Sequence, residues 1–295
     1  SVERIKEYTD AIPQERTITY DSSPNSRLPP PAPQWPARTD LEFRNVNLRY
    51  REGLPLVLRD VSFKVQPGEK VGVVGRTGSG KSTVMLALFR MIELADESPG
   101  AIIIDGRDIA TLAMSDLRNK ITIIPQDPTL FIGTVRANLD PFATRSDAEV
   151  WTALDKCGMK HRVERDTNGL EAEVAEKGSN FSVGERQLLC LARAILKNCK
   201  LLLLDEATAS IDPTQDAILQ TTIRREFADA TVLTIAHRLG TIIDADKVLV
   251  LDHGAVAEFD SPSSLLRNES SVFVSMVKKL GAEKSAALRR QADEH

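Results

Sequence analysis

The chain of 295 residues has few cysteines, and Cys157, Cys190 and Cys199 form no CxxC pair. That argues against a zinc site and a disulfide framework, and it fits a reducing cytosolic setting. There is no basic excess either: 38 Lys and Arg stand against 42 Asp and Glu, a net charge of −4. Nothing in that balance asks for nucleic acid as a partner. Long apolar runs are missing. The most apolar stretches, Ala101 to Ile104 and Leu201 to Leu204, are far shorter than the roughly 20 residues a bilayer needs. No secretory signal opens the chain. It also begins without Met, so it is expected to be a piece of something longer. With 42% hydrophobic and 27% charged residues, it has the material for a proper core in one large domain or two small ones.

What the chain does have is Gly75-Arg76-Thr77-Gly78-Ser79-Gly80-Lys81-Ser82, followed by Thr83. It fits the phosphate-binding pattern G-x-x-x-x-G-K-[ST]. Glycines let the backbone curl until several N–H groups point at one anion. Lys81 would place its charge on the β- and γ-phosphates, and the Ser82 hydroxyl can ligate Mg²⁺. Context agrees: Lys70 to Val74 reads as a buried strand and Ser82 to Ile92 as a helix whose N-terminus faces the phosphates.

Residues 9–38 hold seven prolines, including Pro29, Pro30, Pro31, Pro33 and Pro36. That density excludes helix and central strand, so residues 1–38 are expected to be a linker. Val46, Leu48 and Tyr50 alternate, as do Val61, Phe63 and Val65, so antiparallel strands come first. Buried strands are then expected at Ala101–Ile104, Ile121–Ile124, Leu201–Leu204, Thr231–Ile235 and Val248–Leu251, with helices between most of them. Such alternation implies a largely parallel sheet wrapped by helices. Asp252-His253-Gly254 followed by Ala255–Phe259 looks like a late hairpin. The end is charged and Ala-rich, a surface helix or frayed tail at 281–295.

Leu201 to Leu204 run into Asp205 and Glu206. On a parallel sheet ligands bind beyond the carboxyl ends of strands. Asp205 would hold Mg²⁺ through water, and Glu206 could accept a proton from an attacking water. Phe181-Ser182-Val183-Gly184-Glu185-Arg186-Gln187 opens the helical run Leu188–Lys197, with Ser182 23 residues before Asp205. This segment resembles the LSGGQ signature of ABC-transporter ATPases, and other landmarks follow in order. Tyr50 matches the aromatic that stacks on adenine, and Gln126 matches the Q-loop glutamine. Ser210-Ile211-Asp212 matches the D-loop, and His237 in Thr234-Ile235-Ala236-His237-Arg238-Leu239 the switch histidine. The joint set covers roughly residues 41–280. RYRE at 49–52, KITIIPQDP at 120–128, NLDPF at 138–142, the SVG signature and TIAHRL are similar to the second nucleotide-binding domain of C-subfamily transporters, the multidrug-resistance-associated proteins.

The resemblance implies an α/β fold: a P-loop NTPase core with a mainly parallel sheet flanked by helices. An N-terminal antiparallel β-subdomain and an inserted helical subdomain (about 127–198) would complete an ATPase domain at 39–280. It implies ATP and Mg²⁺ as cofactors, with Gln126 a metal ligand beside Ser82 and Asp205. It implies hydrolysis by in-line attack of water, with Glu206 polarising the water and Lys81 neutralising charge. His237 would hold the geometry. Two such domains sandwich ATP, so Ser182, Val183, Gly184 and Glu185 would face ATP held by the first nucleotide-binding domain of the same polypeptide. Transmembrane domains would dock through their coupling helices, placing this domain on the cytosolic face of a membrane.

Glu185 stands where the family usually has Gln. It could suit a partner site that binds ATP and rarely hydrolyses it. Alternatively, Ser182-x-x-Glu185 fits a capping box. Three functions differ in class: an ATP-hydrolysing export motor, a nucleotide-sensing module that regulates a channel, and a soluble chromosome or repair ATPase. The third carries long coiled-coil heptads, and residues 90–180 hold none.

Overall fold

In the computed structural model, which describes residues 6, 18, 20, 29–95, 100–205, 212–236 and 238–293, the first strands follow their apolar alternation. β1 (Leu41–Leu48) buries Leu41, Phe43, Val46 and Leu48, and β2 (Leu58–Val65) buries Leu58, Val61, Phe63 and Val65. They pair antiparallel, with Phe43 opposite Phe63 and Val46 opposite Val61. Arg44 and Asn45 thus stand against Ser62 alone, a bulge that keeps both apolar pairs on the covered face. Asn45 takes a φ of 47° there, and its amide side chain donates to Asp60 at 2.7 Å. Tyr50 does not continue the strand: β1 ends at Leu48 and Tyr50 lies in the bend beyond it.

After β3 (Lys70–Gly75) and α1 (Lys81–Leu88), β4 (Ala101–Ile104) and β5 (Arg107–Asp108) follow. The sequence places Ala101–Ile104 among the parallel strands; the structure does not. β4 pairs antiparallel with β1, giving a four-stranded sheet ordered β2-β1-β4-β5. Ile102 and Ile104 are buried while Ala101 and Ile103 are only half covered. One covered face is what an antiparallel layer tolerates and a two-sided parallel sheet does not.

α2 (Met114–Lys120) leads to β6 (Ile121–Ile124). Then come β7 (Gly133–Thr134), α3 (Val135–Leu139), α4 (Asp147–Lys156), α5 (Lys160–Glu164), β8 (Glu173–Val174) and α6 (Val183–Lys197). These helices share one apolar cluster, which includes Val135, Leu154, Val163 and Leu191. β9 (Leu201–Asp205), α7 (Pro213–Glu226), β10 (Thr231–Ile235), β11 (Lys247–Asp252) and β12 (Ala255–Asp260) complete a sheet ordered β12-β11-β3-β10-β9-β6. Every neighbour in it is parallel except β11 with β12.

β9 explains the layering. Leu201 and Leu203 belong to the cluster shared with β1, β2 and β4, whereas Leu202 and Leu204 belong to the helical cluster. Successive side chains point to opposite faces, so a strand covered on both sides is apolar throughout. Each buried leucine contributes roughly 1.5–3 kcal/mol. The late hairpin forms as its sequence implies. Asp252 pairs with Ala255, and His253 and Gly254 between them take φ of 47° and 83°, the two positive angles of a type I′ turn.

Both chain ends of the described region dock. Trp35 is buried, with its Nε1 donating to the Ile104 carbonyl at 3.2 Å. The Ala37 and Arg38 amides donate to the Asp105 carboxylate. α8 (Pro262–Arg267), α9 (Val272–Lys278) and α10 (Ala282–Asp293) cover a third cluster. Leu288 and Ala292 of α10 join Phe273 there, and Arg289 donates to the Leu266 carbonyl at 2.9 Å.

In NLDPF, Asp140 ties α3 to the turn that follows. Burial pushes its carboxyl up, but amide donors at Arg145 and Thr144, the Arg136 guanidinium and the Thr144 hydroxyl outweigh that and hold it down at about 2. A folded value below the ordinary 3.8 means this contribution to stability is complete above the ordinary value. It is lost as pH falls through about 2. Asp140→Asn should therefore be less stable than wild type at neutral pH, with the difference closing in acid; melting temperature against pH measures it.

Candidate nucleotide site

The parallel register brings the carboxyl ends of four strands to one edge. Val73 of β3 stands level with Ile235 of β10, and Ile235 with Asp205 of β9. Ile124 of β6 is level with Leu204, so Pro125 and Gln126 leave β6 at the same edge. Asp205 is two strands from β3, about 10 Å at ordinary strand spacing. Its side chain is half-buried at the end of an otherwise fully buried strand.

From β3 the chain turns back on itself. The Ser79 amide donates to the Arg76 carbonyl at 3.0 Å, and α1 begins with Val84 N–H donating to Gly80. Gly80 occupies the N-cap with φ 101°, a conformation other residues rarely adopt. No side chain caps α1 and its first turn holds no acid, so its leading N–H groups are left to a ligand. Lys81 is buried, and its ammonium arches over the loop to donate to the carbonyls of Gly75 at 2.9 Å and Arg76 at 3.1 Å.

Two observations fit this loop to a polyanion. The Ser79 hydroxyl is buried with no partner among the described residues. A Cβ on Gly75 would lie 2.3 Å from the Leu251 carbonyl oxygen and 2.4 Å from Ser79 Oγ, so the cradle admits only glycine. Thr83 is buried behind the loop and meets the Tyr50 hydroxyl at 3.1 Å. That bond stands the Tyr50 ring beside α1 with 49% of the residue exposed, an open aromatic face at the edge of the loop.

The segment at 180–185 belongs to the helical layer. Ser182 is the N-cap of α6, its Oγ accepting the Glu185 amide at 3.1 Å, while the Ser182 amide donates to Glu185 Oε2 at 2.8 Å. The capping box is therefore formed at both halves. Among the described residues, the segment's hydrogen bonds go to α5, to residues 173–178, into α6 and within itself, and none goes to the P-loop. Asp212 caps α7, accepting from Thr214 and Gln215 amides. Glu206, Ser210, Ile211 and His237 lie outside the described residues.

Sequence patterns pass over two residues that tie these parts together. Gln187 is buried in α6, and its Nε2 donates to the Pro125 carbonyl at 2.9 Å, joining the helix to the residue before Gln126. A lone amide in the apolar stripe of α6 was the available signal. Arg162 of α5 pairs with Glu185 at 3.0 Å, and no local pattern marks it.

A glycine loop leaving the carboxyl edge of a parallel sheet for an uncapped helix defines a P-loop nucleotide-binding domain. Comparison narrows the class: the sequence model of the ABC transporter family matches residues 58–209, and the chain belongs to that family. It is 49% identical over 99% of its length to human ATP-binding cassette sub-family C member 4. It is 50% identical over 94% of its length to multidrug resistance protein mrp-7 of Caenorhabditis elegans. The chain spans about a fifth of these relatives, 21% and 18% respectively. A solved bacterial Atm1-family ABC exporter with ATP bound superposes with a TM-score of 0.81 at 33% identity, over 95% of this chain and 48% of that one.

Lys81→Ala should weaken ATP binding about 10- to 100-fold, the loss of one charge-assisted hydrogen-bond set. Titration with a fluorescent ATP analogue reads this directly; unchanged affinity would remove Lys81 from the site.

Proposed function

We propose that this chain is the ATP-hydrolysing motor domain of a C-subfamily membrane exporter, moving organic anions, conjugates or drugs. The observation that carries the proposal is the shared sheet edge. The P-loop cradle, with its orphaned Ser79 hydroxyl, opens where β9 delivers Asp205 and the chain continues to Glu206.

ATP would lie with its phosphates along Gly75 to Thr83, taking hydrogen bonds from the loop amides, and its adenine against Tyr50. Lys81 would swing from the loop carbonyls to the β- and γ-phosphates. Among the described residues no cluster of His, Cys, Asp and Glu could hold a metal by itself. Mg²⁺ fits here as an ion shared between phosphate oxygens and a few protein groups. Ser82 and Gln126 would hold it directly and Asp205 through water, and it would supply neutralisation of the charge developing on the phosphates. Glu206 would accept the proton of the attacking water. His237 would contact the γ-phosphate and keep water and Glu206 aligned.

Ser182, Val183, Gly184 and Glu185 would meet ATP held by a second nucleotide domain, the first one of the same polypeptide, with Asp212 near that junction. ATP then joins the two domains and hydrolysis loosens them. An apolar groove lined by Phe89, Ile123, Pro125, Phe131 and Cys190 suits the coupling helices of transmembrane domains. Phe131, which lines it, is 68% exposed, and the next residue, Ile132, is 71% exposed. Gln126 leaves β6 beside this groove, so a change at the metal would be felt there. Among the described residues no helix is long and apolar enough to cross a membrane; the membrane passage would belong to other segments.

Mg²⁺-ATP turnover by wild type and Glu206→Gln, with binding measured in both, tests the motor. The expected result is binding retained and turnover lost in the variant. Binding without turnover in either, even with the first nucleotide domain added, would favour the nucleotide-sensing function instead.

A further inference from the structure

Arg162 touches the capped turn at three points. Its Nε donates to Glu185 Oε1 at 3.0 Å, a terminal nitrogen donates to the Asn180 carbonyl at 3.4 Å, and its guanidinium stands 5.1 Å from the centre of the Phe181 ring. Glu185 is thus engaged at both oxygens, since Oε2 accepts the Ser182 amide. The pair is partly shielded, with side-chain exposures of 40% for Arg162 and 21% for Glu185. Arg162 comes from a different element, α5, which is anchored by buried Val163. Asn180 is itself held, its side chain donating to the Glu173 carbonyl and accepting the Ala175 amide.

Two opposed charges meet at this turn. The amino end of α6 favours an anion through its partial positive charge and free N–H groups. Val183 and Gly184 occupy its first two positions, where an amide has no acceptor within the helix; Val183 is exposed and Gly184 is buried. Glu185 sets a full negative charge in the same first turn. Unopposed, that carboxylate repels the phosphate the turn is built to receive.

We propose that Arg162 is a positioning residue for this turn. It cancels the Glu185 charge and clamps Asn180, Phe181 and Glu185 in the capped geometry, so that the exposed Val183 end of the turn meets an incoming phosphate in a neutral setting. The inference rests on the reading that a second nucleotide domain brings ATP to this turn. It adds the residue that makes an acidic signature compatible with that ligand.

The test uses the full-length protein that carries this domain, with a fluorophore pair reporting closure of its two nucleotide domains as ATP is titrated. Arg162→Ala should raise the half-maximal ATP concentration about tenfold at low salt, with a smaller deficit at about 0.5 M salt. Adding Glu185→Gln should recover most of the loss, because glutamine still accepts the Ser182 amide but carries no charge, and the missing clamp on Asn180 and Phe181 accounts for the rest. Arg162→Lys, which keeps the charge and loses the fork, should fall between. A deficit that neither Glu185→Gln nor salt repairs would mean a purely structural strut and overturn the proposal, as would wild-type behaviour of Arg162→Ala. A wild type that does not close on ATP would instead overturn the two-domain reading, and this inference with it.

Discussion

β9 carries four leucines in succession, all at 4% exposure or less, and a strand can hide such a run only between two covering layers. The antiparallel sheet supplies one and the helices around α6 the other. Because the covered strands are parallel, their carboxyl ends gather at one edge, and polar chemistry has only that rim to occupy. Gly75 and Asp205 both emerge there. The apolar run thus determines where the glycine loop and Asp205 meet.

The helical layer stands apart from this edge yet is fastened to it. α6 lies over β6, shares one apolar cluster with Leu202 and Leu204 of β9, and reaches the Pro125 carbonyl through the Gln187 amide. The fold therefore links the capped end of α6 to the segment that leaves β6, and the Gln187 bond to the Pro125 carbonyl is one of its ties.

Much of this was legible in the sequence because the determinants are local. The P-loop, the leucine strand and the His253-Gly254 turn each need only neighbours a few residues away. Ser182-x-x-Glu185 likewise encoded its capping box. What failed depended on partners. Ala101–Ile104 reads like any short apolar strand, and only its one-sided cover against β1 assigns it to the antiparallel sheet. Tyr50 extends an alternation that the backbone abandons at Leu48. The Arg162 contact joins two helices, so no spacing announces it. Phe181, where the signature has leucine, reads from sequence as a tolerable apolar exchange, and only the fold places the Arg162 guanidinium over its ring.

The docking of Trp35, Ala37 and Arg38 has a mechanical corollary. These residues are bonded to Ile104 and Asp105, while the Thr39 hydroxyl meets that of Thr231 at 2.8 Å and the Lys200 ammonium donates to the Ala37 carbonyl at the same distance. The strap therefore grips the antiparallel sheet and the amino edge of the parallel one together. Torque applied through residues 35–39 would be delivered to both sheets as one rigid load rather than to the start of β1 alone.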